Sequence, residues 1–331
     1  MFTRSLGVNG PTSSAIGLGC MGMSDFYGPS DRSESIATVR AALDAKVTLL
    51  DTGDFYGMGH NEMLIAEAIQ GRPRDQIILS VKFGAQRDPA GKWVGFDGRP
   101  AAIKTALAYT LKRLGTDHID IYRPARLDPN VPIEDTVGAI AEMVKAGYVR
   151  HIGLSEVGSE TIKRATSVHP ICDLQIEYSL FSRGIEASIL PTCRALGIGI
   201  TAYGVLSRGL ISDGWSKDKI TPGDFRSYSP RFKGENLEKN LKLLEPILMI
   251  AETKGVTLAQ IAIAWVLSRG KDIVPIIGAR RRQSLAESLA ALDVVLSPDD
   301  LLMIERALPK GTAAGSRYAD AQMAHLDSER G

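Results

Sequence analysis

Three polar residues in the first quarter of the chain could carry out a proton transfer. Asp51 lies in the apolar run VTLLDT, and Tyr56 follows it five residues later. Lys82 lies near the end of the next such run, IILSVKF. A phenol has an ordinary pKa of about 10, so it is a weak acid at neutral pH unless a nearby ammonium lowers that value. Lys82 could supply this charge and Asp51 could keep Lys82 protonated; the alternative is an ordinary Asp–Lys pair beside a surface tyrosine.

These residues can meet only if the fold brings them together, and the sequence predicts parallel strands connected by helices. Short β-rich runs recur and are followed by helical patterns; the eight runs are SAIGLGC (14–20), VTLLDT (47–52), IILSVKF (77–83), IDIYR (119–123), RHIGLSE (150–156), CDLQIEY (172–178), GIGITAY (197–203) and DIVPIIG (272–278). Eight such units favour a closed (β/α)8 barrel of the TIM type over an open sheet. Catalytic groups of these barrels lie at the carboxyl ends of the strands. The polar residues that end predicted strands are Asp51, Lys82, Ser155, Gln175 and Tyr203.

We expect residues 1–331 to form one barrel domain, because α/β barrels commonly reach this length as a single unit. Two segments break the alternation of strands and helices. Residues 204–236, rich in Gly, Pro and Ser, predict a long functional loop after the seventh strand. The polar tail from Pro309 either crosses the barrel mouth or is loose.

The composition indicates a small-molecule partner. The formal net charge is +1, which favours neither nucleic acid nor an acidic membrane surface. The three cysteines are far apart and form no C-x-x-C pair, so they predict reduced thiols in the cytoplasm and no zinc site. The N-terminus lacks an apolar signal core, and no window approaches the ~18 apolar residues that span a bilayer. We therefore expect a cytoplasmic protein without metal, membrane or nucleic-acid partners, of undetermined oligomeric state.

A basic turn after the last predicted strand predicts a phosphate site. Gly278 ends that strand, and Arg280, Arg281 and Arg282 precede a helical pattern. Backbone N–H groups at a helix start bind phosphate, and arginine adds bidentate contacts. Such a turn suits a 2′-phosphate, which favours NADPH over NADH; the alternative is a solvated basic turn.

A glycine-rich segment near the N-terminus matches the dinucleotide-binding fingerprint, but the residues after it do not predict the helix that the fingerprint requires. Residues 17–22, GLGCMG, match G-x-G-x-x-G. An open-sheet dehydrogenase would require a helix directly after Gly22, whereas Gly28 and Pro29 delay any helix until about Asp31. The segment is therefore interpreted as the first barrel strand and part of the barrel mouth.

Six stretches of the chain also occur, in the same order, in a known family: GLGCMGMSDFYG, DTGDFYGMGHNEMLIAEAI, VKFG, VPIEDTVGAIAEMVKAGYVRHIGLSE, LQIEYSLFSR and TAYGVLSRGL. The chain resembles the aldo-keto reductases over nearly its whole length, most closely bacterial and plant members that include pyridoxal-reductase-like proteins. The resemblance implies reduction of an aldehyde or ketone by hydride transfer from NADPH. It also implies that Tyr56 donates the proton and that Lys82 and Asp51 adjust the pKa of the Tyr56 hydroxyl.

The resemblance further implies a set of cofactor contacts. Ser155 and Gln175 correspond to the residues that hold the nicotinamide carboxamide. Tyr203 corresponds to the ring that stacks on it, unless it is a buried core tyrosine. The segment around Arg208 would cover the pyrophosphate, unless Arg208 is a surface residue; Ser288 stands where the family usually has Asn, which weakens the adenine contact. The full set is Met21, Asp51, Ser155, Gln175, Tyr203, Leu206, Arg208, Gly209, Gly278, Arg280, Arg281, Ser284, Glu287 and Ser288.

One residue that the resemblance implies is missing. The family pattern places a carbonyl-orienting histidine at position 125, where this sequence has Ala125, and none of the five histidines lies at an equivalent place. Loss of one preorganised donor predicts slow rather than absent reduction. Arg123 could fill the space, or it could be a structural or solvent-facing arginine. The rival function is a cofactor-binding regulatory or low-activity protein, as the potassium-channel β subunits of this superfamily are.

Overall fold

The computed structural model describes residues 1–212, 220 and 224–330, and its centre is a closed barrel of eight parallel strands. The strands of the chain are β1 (Thr3–Ser5), β2 (Thr12–Ser14), β3 (Gly17–Gly19), β4 (Leu49–Gly53), β5 (Ile78–Phe83), β6 (Ala85–Arg87), β7 (Trp93–Phe96), β8 (Ile119–Pro124), β9 (Val149–Ser155), β10 (Ile171–Glu177), β11 (Gly199–Tyr203) and β12 (Ile273–Gly278). The barrel consists of β3, β4, β5, β8, β9, β10, β11 and β12, and each overlaps one of the eight predicted runs. The predicted (β/α)8 barrel is confirmed.

Helices follow the barrel strands and cover them. They are α1 (Arg32–Asp44), α2 (His60–Ile69), α3 (Pro100–Leu114), α4 (Ile133–Lys145), α5 (Ser159–Val168), α6 (Ile189–Ala195), α7 (Gly234–Lys254), α8 (Leu258–Ser268), α9 (Arg282–Leu289), α10 (Pro298–Ala307) and α11 (Asp320–Met323). The sequence periodicity explains them, as α4 illustrates: Ile133, Val137 and Ile140 recur at helical spacing and are buried. The first α-helix begins after Asp31, whose side chain caps it, so no α-helix opens directly after Gly22. Gly17–Gly19 form the first barrel strand, as predicted, and Met21–Met23 form one turn of 3-10 helix at the barrel mouth.

The register of neighbouring strands brings the predicted catalytic side chains to one place. Asp51 of β4 is paired with Ser80 of β5, and Lys82 lies two residues further along β5. Alternate residues of a strand point to the same face, so Ser80 and Lys82 both point into the barrel with Asp51. Lys82 is in turn paired with Arg123 of β8. Four polar side chains thus meet inside the barrel.

The amino end of the barrel is closed by the hairpin of β1 and β2. Leu6, at its tip, is fully buried and packs against apolar residues that begin the barrel strands, among them Leu49 and Ile121. Arg4 donates to the main-chain carbonyls of Gly270 and Leu267 at 2.6 and 2.8 Å. This end is therefore filled, and ligand access is left to the opposite end.

At the carboxyl end, the structure contains a hairpin that the sequence analysis did not predict. Strands β6 and β7 pair antiparallel between β5 and α3. The segment between them, DPAGK, contains the turn residues Pro89 and Gly91. The hairpin brings Trp93 and Phe96 to the barrel mouth.

The C-terminal tail crosses the barrel mouth, which decides between the two alternatives that the sequence left open. Arg317 forms an ion pair with the fully buried Glu156 at 2.5 Å. Burial acts to raise the pKa of Glu156, but the Arg317 guanidinium outweighs it and holds that pKa well below its usual range. Further along, Leu326 is 1% exposed, and the main-chain N–H of Ser328 donates to the carbonyl of Glu156. A buried ion pair therefore fixes the tail across the end of β9.

The predicted long loop after β11 lies partly outside the described residues, which omit 213–219 and 221–223. The described part ends where α7 begins, at Gly234. It contains three turns of 3-10 helix, Ser207–Gly209, Phe225–Tyr228 and Pro230–Phe232.

No single helix within the described ranges is both long and apolar enough to cross a membrane. The helices α7 and α8 meet at an angle of 95°. They have the length and composition of a membrane-spanning segment only when the two are counted together. The apolar residues of α8, such as Trp265, are buried against the barrel.

Candidate active site

A cavity of about 740 Å³ opens at the carboxyl end of the barrel. Its walls come from the ends of the strands, the β6–β7 hairpin, the segment after β11 and the C-terminal tail. Most of the residues predicted from the sequence line it: Met21, Asp51, Tyr56, Lys82, Ser155, Gln175, Tyr203, Leu206, Arg208, Gly209, Gly278 and Arg280. The structure therefore brings together the predicted catalytic residues and twelve of the predicted site positions in total.

The buried ion pair of Lys82 and Asp51 forms the floor of the cavity. The Lys82 ammonium donates to one Asp51 oxygen at 2.5 Å, and both side chains are almost inaccessible to solvent. The other Asp51 oxygen accepts from the Ser80 hydroxyl at 2.9 Å and from the Gln175 amide at 2.7 Å. Burial lowers the pKa of Lys82, and the Asp51 carboxylate opposes this shift. Asp51 is thus held by three donors, and it fixes Lys82 in the barrel.

Tyr56 is held above this pair by the turn between β4 and α2. Its N–H donates to the carbonyl of Gly53 at 3.0 Å. The next three residues, 57–59, all have positive φ, which two glycines there tolerate without strain. The Lys82 ammonium lies 5.1 Å from the centroid of the Tyr56 ring. The ring is 6% exposed and packs edge-on against Phe55 at a centroid distance of 4.7 Å.

The electrostatics of Tyr56 differ from the expectation that Lys82 lowers its pKa. Burial, followed by the negative charge of Asp51, raises the pKa of Tyr56 well above its ordinary value. The positive charge that acts in the opposite direction comes from Arg126. Because Lys82 is neutralised at close range by Asp51, the pair acts on the phenol largely as a dipole. In this structure the hydroxyl is therefore firmly protonated.

Tyr203 lines the cavity and is half-buried, so it is not the buried core tyrosine of the alternative interpretation. Its hydroxyl donates to the Glu156 carboxylate at 2.7 Å and lies 2.8 Å from the hydroxyl of Tyr318 in the tail. Ser155, at the end of β9, lies 3.5 Å from the Arg126 guanidinium. The three residues predicted to contact the nicotinamide are Ser155, Gln175 and Tyr203. They lie on the neighbouring strands β9, β10 and β11, and all three line the cavity.

Two of the arginines that line the cavity, Arg208 and Arg280, are among the residues predicted from the sequence. Arg208 pairs with Glu177 at 3.3 Å, and its guanidinium lies 4.3 Å from the centroid of the Tyr318 ring. Its side chain is 9% exposed, so the interpretation as a surface residue is wrong. Arg280 donates only to main-chain carbonyls, those of residues 27–29. Among the described residues it has no carboxylate partner, so its positive charge is available to an anion.

Four predicted cofactor contacts do not line the cavity: Arg281, Ser284, Glu287 and Ser288. Arg281 is exposed and immediately precedes α9, whereas Ser288 is buried within that helix. The first N–H of α9, that of Arg282, donates to the Glu34 carboxylate at 2.9 Å, and the Arg282 guanidinium binds the same carboxylate. Of the three arginines in this turn, only Arg280 therefore reaches the cavity, and a role for the other four positions stays a prediction.

Arg123 does not fill the space at Ala125. It is fully buried and forms an ion pair with Asp173 at 3.0 Å, with further donation to Thr201 at 3.1 Å. Ala125 itself lines the cavity. Arg123 points into the barrel two residues below the mouth, where it neutralises a buried carboxylate. The structural interpretation of Arg123 is therefore correct, and the solvent-facing and space-filling ones are wrong.

Several cavity residues were missed by the sequence analysis. Arg126, directly after Ala125, lines the cavity, as do Trp93 and Phe96 of the hairpin and Tyr318 of the tail. The DPAGK turn between alternating residues was a usable signal for the hairpin. The sequence of the tail has no periodicity that could have placed Tyr318. A single arginine after a strand, such as Arg126, likewise gives no local sign that it lines a cavity. No group of three or more His, Cys, Asp or Glu residues that could hold a metal ion occurs in the described part of the chain.

Comparisons with known proteins agree with this geometry. The model of the aldo/keto reductase family matches residues 15–309. A probable aldo-keto reductase 1 from Glycine max is 40% identical over 316 residues, covering 95% of this chain and 90% of that protein. A glycerol dehydrogenase from Gluconobacter oxydans has a similar structure, with a TM-score of 0.83 and 27% identity over 92% of this chain and 94% of that chain. An aldo/keto reductase from Klebsiella pneumoniae, solved in complex with NADP and acetate, has a TM-score of 0.75 and 26% identity, covering 96% of this chain and 99% of that chain. The chain belongs to the aldo/keto reductase family.

Proposed function

We propose that this protein reduces an aldehyde or ketone to an alcohol, with Tyr56 as the proton donor. As a member of its family, the chain is an NADP-dependent oxidoreductase of carbonyl or alcohol groups, and its cofactor is NADPH. The observation that carries the finer proposal is the arrangement of Tyr56 over the buried Lys82–Asp51 pair, in the same cavity as the Arg280 guanidinium.

The residues present fit a phosphorylated dinucleotide. The cavity volume of about 740 Å³ is in the range of small-molecule sites. Arg280, at the outer end, has an unneutralised charge suited to the 2′-phosphate, since it donates only to carbonyls among the described residues. At the inner end, Ser155 and Gln175 offer a hydroxyl and an amide for the carboxamide. When bound, NADPH supplies the hydride.

The side chains around Tyr56 suit it to the role of acid. Its raised pKa keeps the hydroxyl protonated at neutral pH, so a proton is available for the oxygen of a bound carbonyl. The Lys82–Asp51 pair lies beneath the ring and is inaccessible to solvent. Lys82 can therefore polarise the phenol as negative charge develops on it, and Asp51 keeps Lys82 in position.

The rival function is that of a regulatory or low-activity protein that binds the cofactor, and the missing histidine at Ala125 keeps it open. Oxidation of NADPH, followed by absorbance with a panel of neutral aldehydes and ketones, distinguishes the two. We expect steady turnover with at least one carbonyl and formation of the matching alcohol. Tight binding of NADPH with no consumption across the panel would instead favour the regulatory protein.

Arg280 is expected to determine the preference for NADPH over NADH. Removing one charge-assisted contact costs about 1.5–3 kcal/mol, so Arg280→Ala should weaken NADPH by roughly 10- to 100-fold and leave NADH nearly unchanged. Fluorescence titration with both cofactors measures this. Arg282→Ala is the matched control, because Arg282 binds Glu34 and does not line the cavity. Equal losses for NADPH and NADH in Arg280→Ala would contradict the proposed contact.

We also propose that residues 1–331 form one domain, because one contiguous hydrophobic core extends from Ile16 to Leu308. A cytoplasmic location is in keeping with the three cysteines, which are buried and free.

A further inference from the structure

Arg126 is a cation in the cavity wall that the function described above does not use. It follows β8 and lines the same cavity as Tyr56 and Lys82. Its Nη1 donates to the carbonyl of Ala125 at 2.6 Å and lies 3.5 Å from the Ser155 hydroxyl. A guanidinium has five N–H donors, and only those on Nη1 have partners among the described residues. Its Nε and Nη2 therefore have no hydrogen-bond partner among the described protein residues.

Three other arginines of the barrel mouth and interior are neutralised by carboxylates. Arg123 pairs with Asp173, Arg208 with Glu177 and Arg317 with Glu156. Arg126 forms no ion pair with any described residue. The Glu156 carboxylate favours the charged form of Arg126 without forming an ion pair with it, so the guanidinium keeps its charge and can bind an anion in the cavity.

The charge of Arg126 acts on the residues proposed to perform the reaction. It lowers the pKa of Tyr56 against the larger effects of burial and Asp51, and it also lowers the pKa of Lys82. Arg126, Tyr56 and Lys82 all line the same cavity, so the charge acts across it. A carbonyl oxygen accepts two hydrogen bonds, and Tyr56 provides one of them. A second donor to this oxygen must come from another group that lines the cavity, as Arg126 does.

We propose that Arg126 is a catalytic residue that donates a hydrogen bond to the oxygen of the reacting carbonyl, beside Tyr56. This inference rests on the proposed carbonyl reduction. As hydride adds to the carbonyl carbon, the π electron pair moves to the oxygen, which then takes the proton of the Tyr56 hydroxyl. The Tyr56 phenolate then regains a proton from water; when bound, NADPH would supply the hydride with its two electrons and be left as NADP+. Arg126 keeps all its protons and stabilises the negative charge that develops on the oxygen.

Arg126→Ala is the variant that tests the proposal, with a neutral aldehyde such as benzaldehyde as substrate. Loss of one donor to a developing oxyanion typically lowers kcat by about 10²-fold or more, and we expect an effect of this size on kcat rather than on KM. NADPH affinity should be unchanged. Guanidinium chloride at a non-denaturing concentration should restore part of the rate, and urea should not. Arg99→Ala is the control for loss of an arginine outside the cavity, since Arg99 pairs with Asp97 and is 72% exposed.

Binding of benzoate to the cofactor-free protein provides a readout that does not depend on turnover. The benzoate carboxylate presents anionic oxygens where the carbonyl oxygen would develop charge. Isothermal titration calorimetry should show at least a tenfold loss of benzoate affinity in Arg126→Ala, and no change for benzyl alcohol. Arg126→Lys keeps the charge and should retain part of the affinity, which covers the case that Arg126→Ala does not fold.

The outcomes separate this inference from the proposed function. Unchanged kcat or unchanged benzoate affinity in Arg126→Ala overturns the role of Arg126 and leaves the proposed function intact. A loss confined to the KM of aldehydes that carry a carboxylate also overturns it, because Arg126 would then anchor the substrate. If the unaltered protein consumes no NADPH with any carbonyl, the proposed function fails, and the catalytic role of Arg126 fails with it.

Discussion

Tyr56→Phe is expected to lower kcat for carbonyl reduction by roughly 10²- to 10⁴-fold, the usual contribution of a positioned general acid. The variant loses only the hydroxyl, because the ring is held by packing against Phe55 and Phe26 at centroid distances of 4.7 and 6.2 Å. The cavity should keep its shape, and NADPH affinity should stay as in the unaltered protein. Steady-state NADPH oxidation and a fluorescence titration on the same preparation measure both quantities.

Two further variants make this result specific to Tyr56. Tyr27→Phe removes another hydroxyl that lines the same cavity and should leave kcat within a few fold. Lys82→Met removes the ammonium beneath the Tyr56 ring and should resemble Tyr56→Phe, since the phenol would then face an unopposed Asp51 charge. Near-normal turnover by Tyr56→Phe would mean that another group donates the proton.

The second large effect is on stability and concerns Arg123. Arg123→Leu should lower the free energy of unfolding by about 3–5 kcal/mol, because it leaves the fully buried Asp173 without its counter-ion. The Thr201 hydroxyl still donates to Asp173 at 2.6 Å and the Cys172 thiol at 3.3 Å, but these neutral donors do not offset a buried charge. Chemical denaturation followed by circular dichroism measures the change.

The double variant Arg123→Leu/Asp173→Leu serves as the control. Removing both partners eliminates the uncompensated charge, so the double variant should regain much of the lost stability. The turnover of the folded fraction should fall far less in either variant than in Tyr56→Phe, because Arg123 does not line the cavity and reaches Asp51 only through the Ser80 hydroxyl. A large loss of turnover in Arg123→Leu with unchanged stability would restore the hypothesis that Arg123 contacts the substrate.

The barrel could be predicted because its signal is repeated and local. Each strand is a short apolar run, and the helix after it has its own period, so eight independent segments support one architecture. The proximity of Asp51 and Lys82 could be predicted for the same reason, because the ends of neighbouring parallel strands lie side by side. Tyr56 could be placed near them because only four residues separate it from Asp51.

The contacts that depend on side-chain direction could not be predicted in this way. Arg123 and Arg126 are near neighbours in the sequence, yet one neutralises Asp173 inside the barrel and the other faces the cavity. The direction of Arg282 toward Glu34 depends on how α1 and α9 pack, which no local pattern specifies. The positions of the hairpin and the tail could not be predicted either. They depend on tertiary contacts of segments that are short or have no periodic pattern.

The tail that crosses the barrel mouth also bears on how such an enzyme can diversify. Its last turns contribute Tyr318, Gln322, His325 and Leu326 to the cavity, and the Arg317–Glu156 pair helps to hold it there. Part of the wall that a substrate meets is therefore encoded in a short block of sequence, apart from the segments that encode the strands and the Tyr56–Lys82–Asp51 group. Mutation or recombination within that block can change the range of accepted carbonyls in one step. The scaffold and the chemistry would be inherited unchanged.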